Sequence, residues 1–120
     1  MSHLTVVKSE FNSISALQEA ARYFGLTLDT SGEGKVRYWY GQEHATMVLK
    51  LPGKYDLGFQ LQADGTYSLV CDTELLGGSF GAQDPGRQLL GEQAGTFKRE
   101  YLVARTLEAF RAQGLEPQVT

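Results

Sequence analysis

Four short apolar stretches, separated by tight turns, constrain the fold of this chain more than any other feature of the sequence. They cover residues 35–40, 45–51, 55–62 and 66–72. The segments between them contain reversal signals, among them Pro52-Gly53 and Asp64-Gly65. Connections this short join neighbouring antiparallel strands, so the pattern predicts a four-stranded antiparallel meander.

The segments on either side of the meander complete an α+β pattern. β-Branched residues at 4–11 indicate a first strand. Apolar residues at helical spacing predict helices at about 14–24 and 97–113. Two amphipathic helices and one apolar sheet face are satisfied by a two-layer sandwich with both helices on that face. The sequence therefore predicts a single α+β domain over residues 1–120, ordered strand, helix, four-strand meander, helix.

A glycine-rich segment at 75–96 separates the meander from the second helix. It contains six of the fourteen glycines of the chain. A connection of this length and composition is typical of a working loop or of a partly disordered segment. One short helical turn is predicted inside it, at Gln88–Gly91.

Side-chain alternation along the four strands predicts one apolar face and one polar face. The apolar, core-facing set is Val36, Tyr38, Tyr40, Met47, Leu49, Leu51, Tyr55, Leu57, Phe59, Leu61, Tyr67, Leu69 and Cys71. The polar face is predicted to remain open to solvent or to a partner. Its candidate binding residues are Arg37, Trp39, Lys50, Asp56, Gln60 and Asp72.

The candidate residues on the polar face are open to three interpretations. An exposed Trp39 among mixed charges is typical of an anchor in a protein–protein interface. Asp56 and Asp72 could serve acid–base catalysis, which requires a carboxyl pKa raised by desolvation. They could instead form cross-strand ion pairs with a structural role, for example between Asp56 and Lys50.

Composition argues against several other classes of function. The net charge of −3 and the pI near 5.3 disfavour nucleic acid as the main partner, since its phosphates select clustered Lys and Arg. No apolar run approaches the roughly 20 residues that span a bilayer, so no membrane insertion is expected. The single cysteine excludes an internal disulfide and is typical of a cytoplasmic protein.

The residue types that most often carry chemistry form no catalytic or metal-binding pattern in this sequence. His3 and His44 are too few for a standard zinc site, although His3 could bind copper beside a free amino terminus. Cys71 lies on the core face without a basic neighbour in sequence, which is typical of an inert thiol. Gly77–Gly81 lacks the Lys-Ser or Lys-Thr pair of a phosphate-binding loop. We therefore expect no cofactor, no metal and no catalytic residue.

Several short strings of the sequence carry a family resemblance. They are Met1-Ser-His-Leu4, Phe24-Gly25, Val36-Arg-Tyr-Trp-Tyr-Gly-Gln42, Lys54-Tyr-Asp-Leu-Gly-Phe59, Asp64-Gly-Thr-Tyr67, Val70-Cys-Asp72, Arg99-Glu-Tyr-Leu102 and Gln113-Gly114. On these strings, which are spread over most of the chain, the protein resembles the Ycf-thirty-five family (hypothetical chloroplast reading frame thirty-five) of cyanobacteria, algal plastids and some other bacteria. The chain departs from the family at Thr73–Gly78, where members usually have an aromatic-rich stretch. The resemblance implies a cytoplasmic or plastid-stroma setting and carries no biochemical activity.

Two functional hypotheses from different classes follow from the sequence. The first is a non-catalytic binding or accessory protein that docks a partner protein through the open sheet face and the glycine-rich segment. The second is a small ligand-binding protein or enzyme that uses Asp56 and Asp72 beneath a loop lid. Nucleic acid is a third and weaker candidate, because Arg37 and Lys50 alone supply positive charge on that face. The sequence indicates no oligomeric state and does not identify the partner.

Overall fold

The computed structural model describes residues 4–114 of the 120-residue chain. Its strands are β1 (Leu4–Phe11), β2 (Leu28–Asp29), β3 (Lys35–Tyr38), β4 (Gly41–His44), β5 (Met47–Leu49), β6 (Leu57–Leu61) and β7 (Tyr67–Asp72). Its helices are α1 (Ile14–Tyr23), α2 (Thr73–Leu76), α3 (Pro85–Leu90) and α4 (Gly95–Ala112), with a 3₁₀ turn at Glu92–Ala94. Each of the helices α1, α2 and α3 is preceded by an N-cap residue whose side chain accepts a hydrogen bond from a backbone N–H of the first turn. These residues are Ser13, Asp72 and Asp84, respectively.

Five strands form one antiparallel sheet in the spatial order β1-β7-β6-β5-β2. The two long helices, α1 and α4, pack against each other and share one hydrophobic core with a single face of this sheet. The predicted α+β class, with an antiparallel sheet and both long helices on the same face, is confirmed. No helix within residues 4–114 is both long enough and apolar enough to cross a membrane.

Aromatic rings join the sheet to the helices at the centre of the core. The ring of Phe11 meets Phe59 edge-on with centroids 5.6 Å apart, and Phe97 lies 6.0 Å from Phe59. Phe11 also meets Tyr101 edge-on at 4.6 Å. The hydroxyl of Tyr101 accepts a hydrogen bond from the backbone N–H of Asn12 at 3.0 Å. This bond fixes α4 against the end of β1.

The segment 35–44 departs from the predicted meander. Strands β3 and β4 pair with each other in a separate two-stranded sheet, in the register Lys35↔His44 and Tyr38↔Gly41. The prediction placed the reversal at Gly41–His44, whose polar, glycine-containing composition is typical of a turn. The chain instead reverses at Trp39-Tyr40, and the backbone of 41–44 forms a strand. Strands β5, β6 and β7 keep the predicted antiparallel order.

The β3–β4 hairpin lies across the sheet face that is opposite the helices. Val36 is fully buried there and forms a second, smaller hydrophobic cluster with Ala45 and Val48. Tyr38 is half-buried, Tyr40 is exposed and Val36 lies in this second cluster, so the prediction that all three face the main core is wrong. The prediction that the second sheet face is open is also wrong where the hairpin covers it. Alternation assigns a side chain to a face, and it does not reveal what packs on that face.

Gly58 allows the hairpin to approach the sheet closely. A Cβ atom at position 58 would lie 2.4 Å from Cγ2 of Val36 and 3.0 Å from the carbonyl oxygen of Val70. Real Cβ atoms essentially never lie as close as 2.4 Å to another atom, so any side chain at this position would push the hairpin away. The absence of a side chain at Gly58 is therefore what lets Val36 be buried.

The glycine-rich segment 75–96 is built from short helices and close-packed turns. The predicted helical turn at Gln88–Gly91 is confirmed as the second half of α3. A Cβ at Gly81 would lie 1.9 Å from the carbonyl oxygen of Glu74, and a Cβ at Gly78 would overlap the Glu74 carboxylate. At these two positions glycine permits the chain to fold tightly over α2, rather than supplying conformational freedom.

The main core predicts the effect of truncating Phe59, which is fully buried between the sheet and α4. Phe59→Ala should lower the free energy of unfolding by about 3–5 kcal/mol, through lost apolar burial and the cavity that remains. Leu61 is a matched control on the same strand, because it is 50% exposed although it was predicted to face the core. Leu61→Ala should cost less than about 1 kcal/mol. Urea unfolding followed by circular dichroism measures both, and equal losses would contradict this description of the core.

The glycine-rich segment predicts opposite effects of the same substitution at two positions. Gly81→Ala should lower the free energy of unfolding by about 1–3 kcal/mol, because its Cβ would overlap the backbone at Glu74. Gly95→Ala should raise it by about 0.5 kcal/mol, because Gly95 has helical backbone angles and an added Cβ meets no atom within 4 Å. Urea unfolding of the two variants tests this, and a neutral Gly81→Ala would show that the segment is loosely packed.

Candidate functional site

A fully buried carboxylate, that of Asp56, attaches the hairpin to the main sheet. Its Oδ2 accepts hydrogen bonds from the backbone N–H of Arg37 at 3.0 Å and from Arg37 Nε at 2.9 Å. Its Oδ1 accepts from Arg37 Nη2 at 2.9 Å and from the backbone N–H of Leu51 at 3.1 Å. Lys50 Nζ lies 3.5 Å from Oδ2, so the predicted ion pair between Asp56 and Lys50 is confirmed. The carboxylate thus joins β3 to the segment that follows β5.

The charge state of Asp56 is fixed by these partners. Burial would raise the pKa of the Asp56 carboxyl, but hydrogen bonds from Arg37 and Leu51 outweigh burial and lower the pKa below its ordinary value. The side-chain hydrogen bond between Arg37 and Asp56 also raises the pKa of the Arg37 guanidinium. Asp56 is therefore held ionised, whereas a catalytic acid at neutral pH would need a raised pKa. The Asp56–Arg37 pair therefore suits attachment of the hairpin to the sheet rather than proton transfer.

A second buried carboxylate, that of Asp72, holds the hairpin near its turn. Its Oδ2 accepts a hydrogen bond from the backbone N–H of Trp39 at 2.8 Å. Its Oδ1 accepts from the backbone N–H of Glu74 at 2.9 Å and so caps α2. Both Asp56 and Asp72 have no exposed surface, so the prediction that they lie on an open, solvated face is wrong. The backbone N–H and guanidinium of Arg37 and the backbone N–H of Trp39 point toward the sheet and cover these carboxylates.

The hairpin presents two aromatic side chains at its turn. Trp39 is 58% exposed and Tyr40 is 66% exposed. The ammonium group of Lys54 lies 5.5 Å from the centroid of the Trp39 ring, in cation–π contact. We call this surface the aromatic tip, defined by Trp39, Tyr40 and Lys54. The Asp72 carboxylate holds the backbone of Trp39, so the exposed rings of the aromatic tip are carried by a fixed turn.

The segment that carries Lys54 is fixed from two sides. Nη1 of Arg37 donates to the carbonyl oxygen of Gly53 at 2.8 Å. Oδ1 of Asp84 accepts from the backbone N–H of Lys54 at 2.9 Å. A Cβ at Gly53 would lie 2.3 Å from the same Asp84 oxygen, and Gly53 has a φ of +92° that disfavours other residues. The glycine-rich segment, through Asp84, therefore helps to place Lys54 beside Trp39.

The predicted site residues are brought together only in part. Arg37, Lys50 and Asp56 form one network, and Nζ of Lys50 also donates to the carbonyl oxygen of Lys35 at 2.8 Å. Gln60 lies apart from that network, where its side-chain oxygen accepts from the backbone N–H of Thr46 at 3.3 Å. A binding role for these residues remains a prediction. For Arg37, Lys50 and Asp56, the geometry establishes a structural role in attaching the hairpin to the sheet.

Two buried carboxylates near the site were missed by the sequence analysis. Glu74 accepts a hydrogen bond from the backbone N–H of Phe80 at 3.3 Å, beneath the turn that contains Gly78. Asp84 accepts from the backbone N–H of Gly86 at 3.0 Å and begins α3. The Asp84-Pro85 pair is a recognisable helix start, since aspartate is a favoured N-cap and proline a favoured first residue. Glu74 carries no comparable signal, because its burial depends on how the following turn folds over it.

The groups that could carry out chemistry are not placed for it. Burial raises the pKa of the Cys71 thiol to about 12, so the thiolate needed for nucleophilic attack is not formed near neutral pH. His44 is exposed on β4. The candidate copper ligand His3 lies outside the described residues. Within residues 4–114, no three His, Cys, Asp or Glu side chains are grouped so that they could hold a metal ion.

Comparison of the chain with protein-family models, with curated proteins and with solved structures gives no match in any of the three. The resemblance to the Ycf-thirty-five family therefore stays a prediction. The geometry of the hairpin and its aromatic tip is the basis on which a function can be proposed.

The hydrogen bonds of Asp56 predict how stability depends on pH. Its folded-state pKa lies below the unfolded value of about 3.9, so its stabilisation is complete above that pH and is lost as the pH falls through the folded-state pKa. Asp56→Asn should lower the free energy of unfolding at pH 7 by about 3 kcal/mol, because it leaves Arg37 without its buried counter-charge. The wild type should then lose stability more steeply than the variant as the pH falls below about 4.

Urea unfolding at several pH values between 7 and 2 measures these differences. Asp64→Asn is the control, since Asp64 is an exposed carboxylate that accepts hydrogen bonds from Thr66 within its own turn. It should change the free energy of unfolding at pH 7 much less than Asp56→Asn does. Parallel pH dependences for the wild type and Asp56→Asn would show that Asp56 does not control acid stability.

Proposed function

We propose that this protein is a non-catalytic binding protein that docks a partner protein through the aromatic tip of the β3–β4 hairpin. The observation that carries the proposal is the exposure of Trp39 and Tyr40, at 58% and 66%, on a turn whose backbone is tied to a buried carboxylate. Tryptophan and tyrosine dominate the binding energy of many interfaces, because they bury a large area with few rotatable bonds. An exposed Trp–Tyr pair held in this way is suited to that role.

The support beneath the aromatic tip favours docking over incidental exposure. Association costs free energy when side chains and loops must be ordered, and a preorganised surface lowers that cost. Asp72 fixes the Trp39 backbone, and Lys54 lies against the Trp39 ring. The second hydrophobic cluster, formed by Val36, Ala45 and Val48, adds apolar packing to these bonds. A partner would therefore meet a surface that is already close to its bound shape.

The proposal moves the docking surface from the open sheet face to the hairpin that covers it. The glycine-rich segment remains part of the surface's support, because Asp84 binds the backbone of Lys54. Phe80, the single aromatic residue of this segment, is 78% exposed. A cytoplasmic or plastid-stroma location, and membership of the Ycf-thirty-five family, accompany this proposal as predictions from the sequence.

The alternative of an enzyme or ligand carrier that uses Asp56 and Asp72 has no supporting observation. Both carboxylates are fully buried and bonded to backbone N–H groups, so neither is available to a substrate. Asp56 is covered by the hairpin, rather than by the segment 75–96 that was expected to act as a lid. Nucleic-acid binding also lacks support here, because Arg37 and Lys50 are both paired with Asp56.

Trp39→Ala tests the proposed function. The change should alter the free energy of unfolding by no more than about 1 kcal/mol, since the side chain is largely exposed. It should weaken partner binding by about tenfold or more, as the loss of a central aromatic anchor does. Tyr23→Ala is a matched control, because Tyr23 is 64% exposed on α1, which packs on the opposite sheet face.

The measurement is affinity capture from the native organism with the wild type and both variants, quantified by mass spectrometry. Titration calorimetry with the purified partner then gives the dissociation constants. A partner that depends on Trp39 and is indifferent to Tyr23→Ala supports the proposal. Equal capture by the wild type and Trp39→Ala would move the binding surface away from the hairpin.

A further inference from the structure

A cleft with a positive lining lies on the helix side of the sheet, away from the aromatic tip. It has a volume of about 500 Å³ and runs between the end of β1 and α4. Lys8 and Asn12 line the β1 side, and Lys98, Leu102 and Arg105 line the α4 side. Lys98 and Arg105 face one cleft because they are seven residues apart, which is two turns of a helix. The two elements thus bring three cations together on a chain whose net charge is −3.

The positive charge in this cleft is incompletely neutralised. Within residues 4–114 neither Lys8 nor Lys98 forms an ion pair with a described carboxylate. Arg105 binds Glu108, with Nη1 of Arg105 and Oε2 of Glu108 3.0 Å apart. The same Glu108 carboxylate accepts hydrogen bonds from the hydroxyls of Ser13 and Ser15. Glu108 therefore orients Arg105. Among the described carboxylates, Asp64 interacts with Lys8 through its charge without forming an ion pair with it, and none pairs with Lys98.

Neutral groups give the cleft a defined shape. Oδ1 of Asn12 accepts a hydrogen bond from the hydroxyl of Tyr101 at 3.2 Å, so the amide NH₂ of Asn12 is the end of that side chain that can donate to a ligand. The Tyr101 hydroxyl also accepts from the backbone N–H of Asn12, which holds the residue in place. Leu102, which is 63% exposed, supplies an apolar wall beside the cations.

We propose that this cleft binds a small organic dianion, either a phosphate monoester or a dicarboxylate. Two ammonium groups that form no ion pair with a described carboxylate, one oriented guanidinium and one amide donor match the several acceptor oxygens of such a ligand. Leu102 provides a surface for the carbon part of the ligand. The site is small and holds three cations, which suits a compact anion better than an extended nucleic-acid backbone. This inference is independent of the docking function proposed for the hairpin.

The test is a titration of the ¹⁵N-labelled full chain, followed by heteronuclear NMR. Inorganic phosphate is the probe for the phosphate source and malonate the probe for the dicarboxylate source, with sodium chloride holding the ionic strength constant. Saturable shifts at the amides of Ser9, Asn12 and Lys98, with a dissociation constant on the order of 1 mM, support the proposal. The probe that binds more tightly identifies the source. Shifts with neither probe, or shifts that do not saturate, overturn it.

Charge-removing variants then test whether the cleft itself binds the anion. Lys98→Gln and Lys8→Gln should each weaken binding of the better probe by about fivefold, and the double variant by about twentyfold or more. Arg99→Gln is the matched control, because it removes the same charge from the adjacent position on α4, where Arg99 is paired with Glu100. It should weaken binding by less than about twofold. Equal effects of Arg99→Gln and Lys98→Gln would show general charge attraction only and would overturn the site.

Discussion

The ion pair between the buried carboxylate of Asp56 and the half-buried side chain of Arg37 is the main interaction that attaches the hairpin to the sheet. A carboxylate removed from water costs several kcal/mol unless its lone pairs are satisfied. Here two backbone N–H groups, a guanidinium and an ammonium surround it, and the hydrogen bonds hold it ionised. Without that arrangement, β3 would lose the bonds that attach its backbone and side chain at Arg37 to the sheet. The small cluster that contains Val36 would then be less well covered, and the aromatic tip would depend more on the bond between Asp72 and the Trp39 backbone.

The same use of charge recurs through the described part of the chain. Asp72, Glu74 and Asp84 are also buried, and each carboxylate accepts hydrogen bonds from backbone N–H groups in turns or at helix starts. Buried backbone N–H groups require a hydrogen-bond acceptor. These acidic side chains supply one to N–H groups that have no partner in the sheet or in the long helices. For the same reason Asp56 and Asp72, which the sequence suggested as candidate catalytic carboxylates, are bonded to backbone N–H groups within the fold.

How much of the structure could be predicted from the sequence depends on which signals are local. The pattern of Phe59 and Leu69 predicts the core face correctly, because side chains alternate with a fixed period of two along a strand. The hairpin was missed because Trp39-Tyr40 is a turn of strand-forming residues, so composition pointed to the wrong reversal. The burial of Asp56 and Asp72 could not be predicted, because it depends on a distant segment that packs over them. Trp39 was correctly expected to be exposed, although the surface that presents it is the hairpin rather than the sheet.

Asp72 has a position that links two parts of the surface. One of its oxygens holds the Trp39 backbone and the other holds the first turn of α2, from which the glycine-rich segment departs. A single rigid carboxylate thus makes the placement of the hairpin and the capping of α2 interdependent. By thermodynamic reciprocity, a ligand that favours the bonded position of Trp39 favours the capped state of α2 by the same coupling free energy. Events at the hairpin and in the segment 75–96 are therefore energetically coupled through the Asp72 carboxylate, in addition to the bond between Asp84 and the backbone of Lys54.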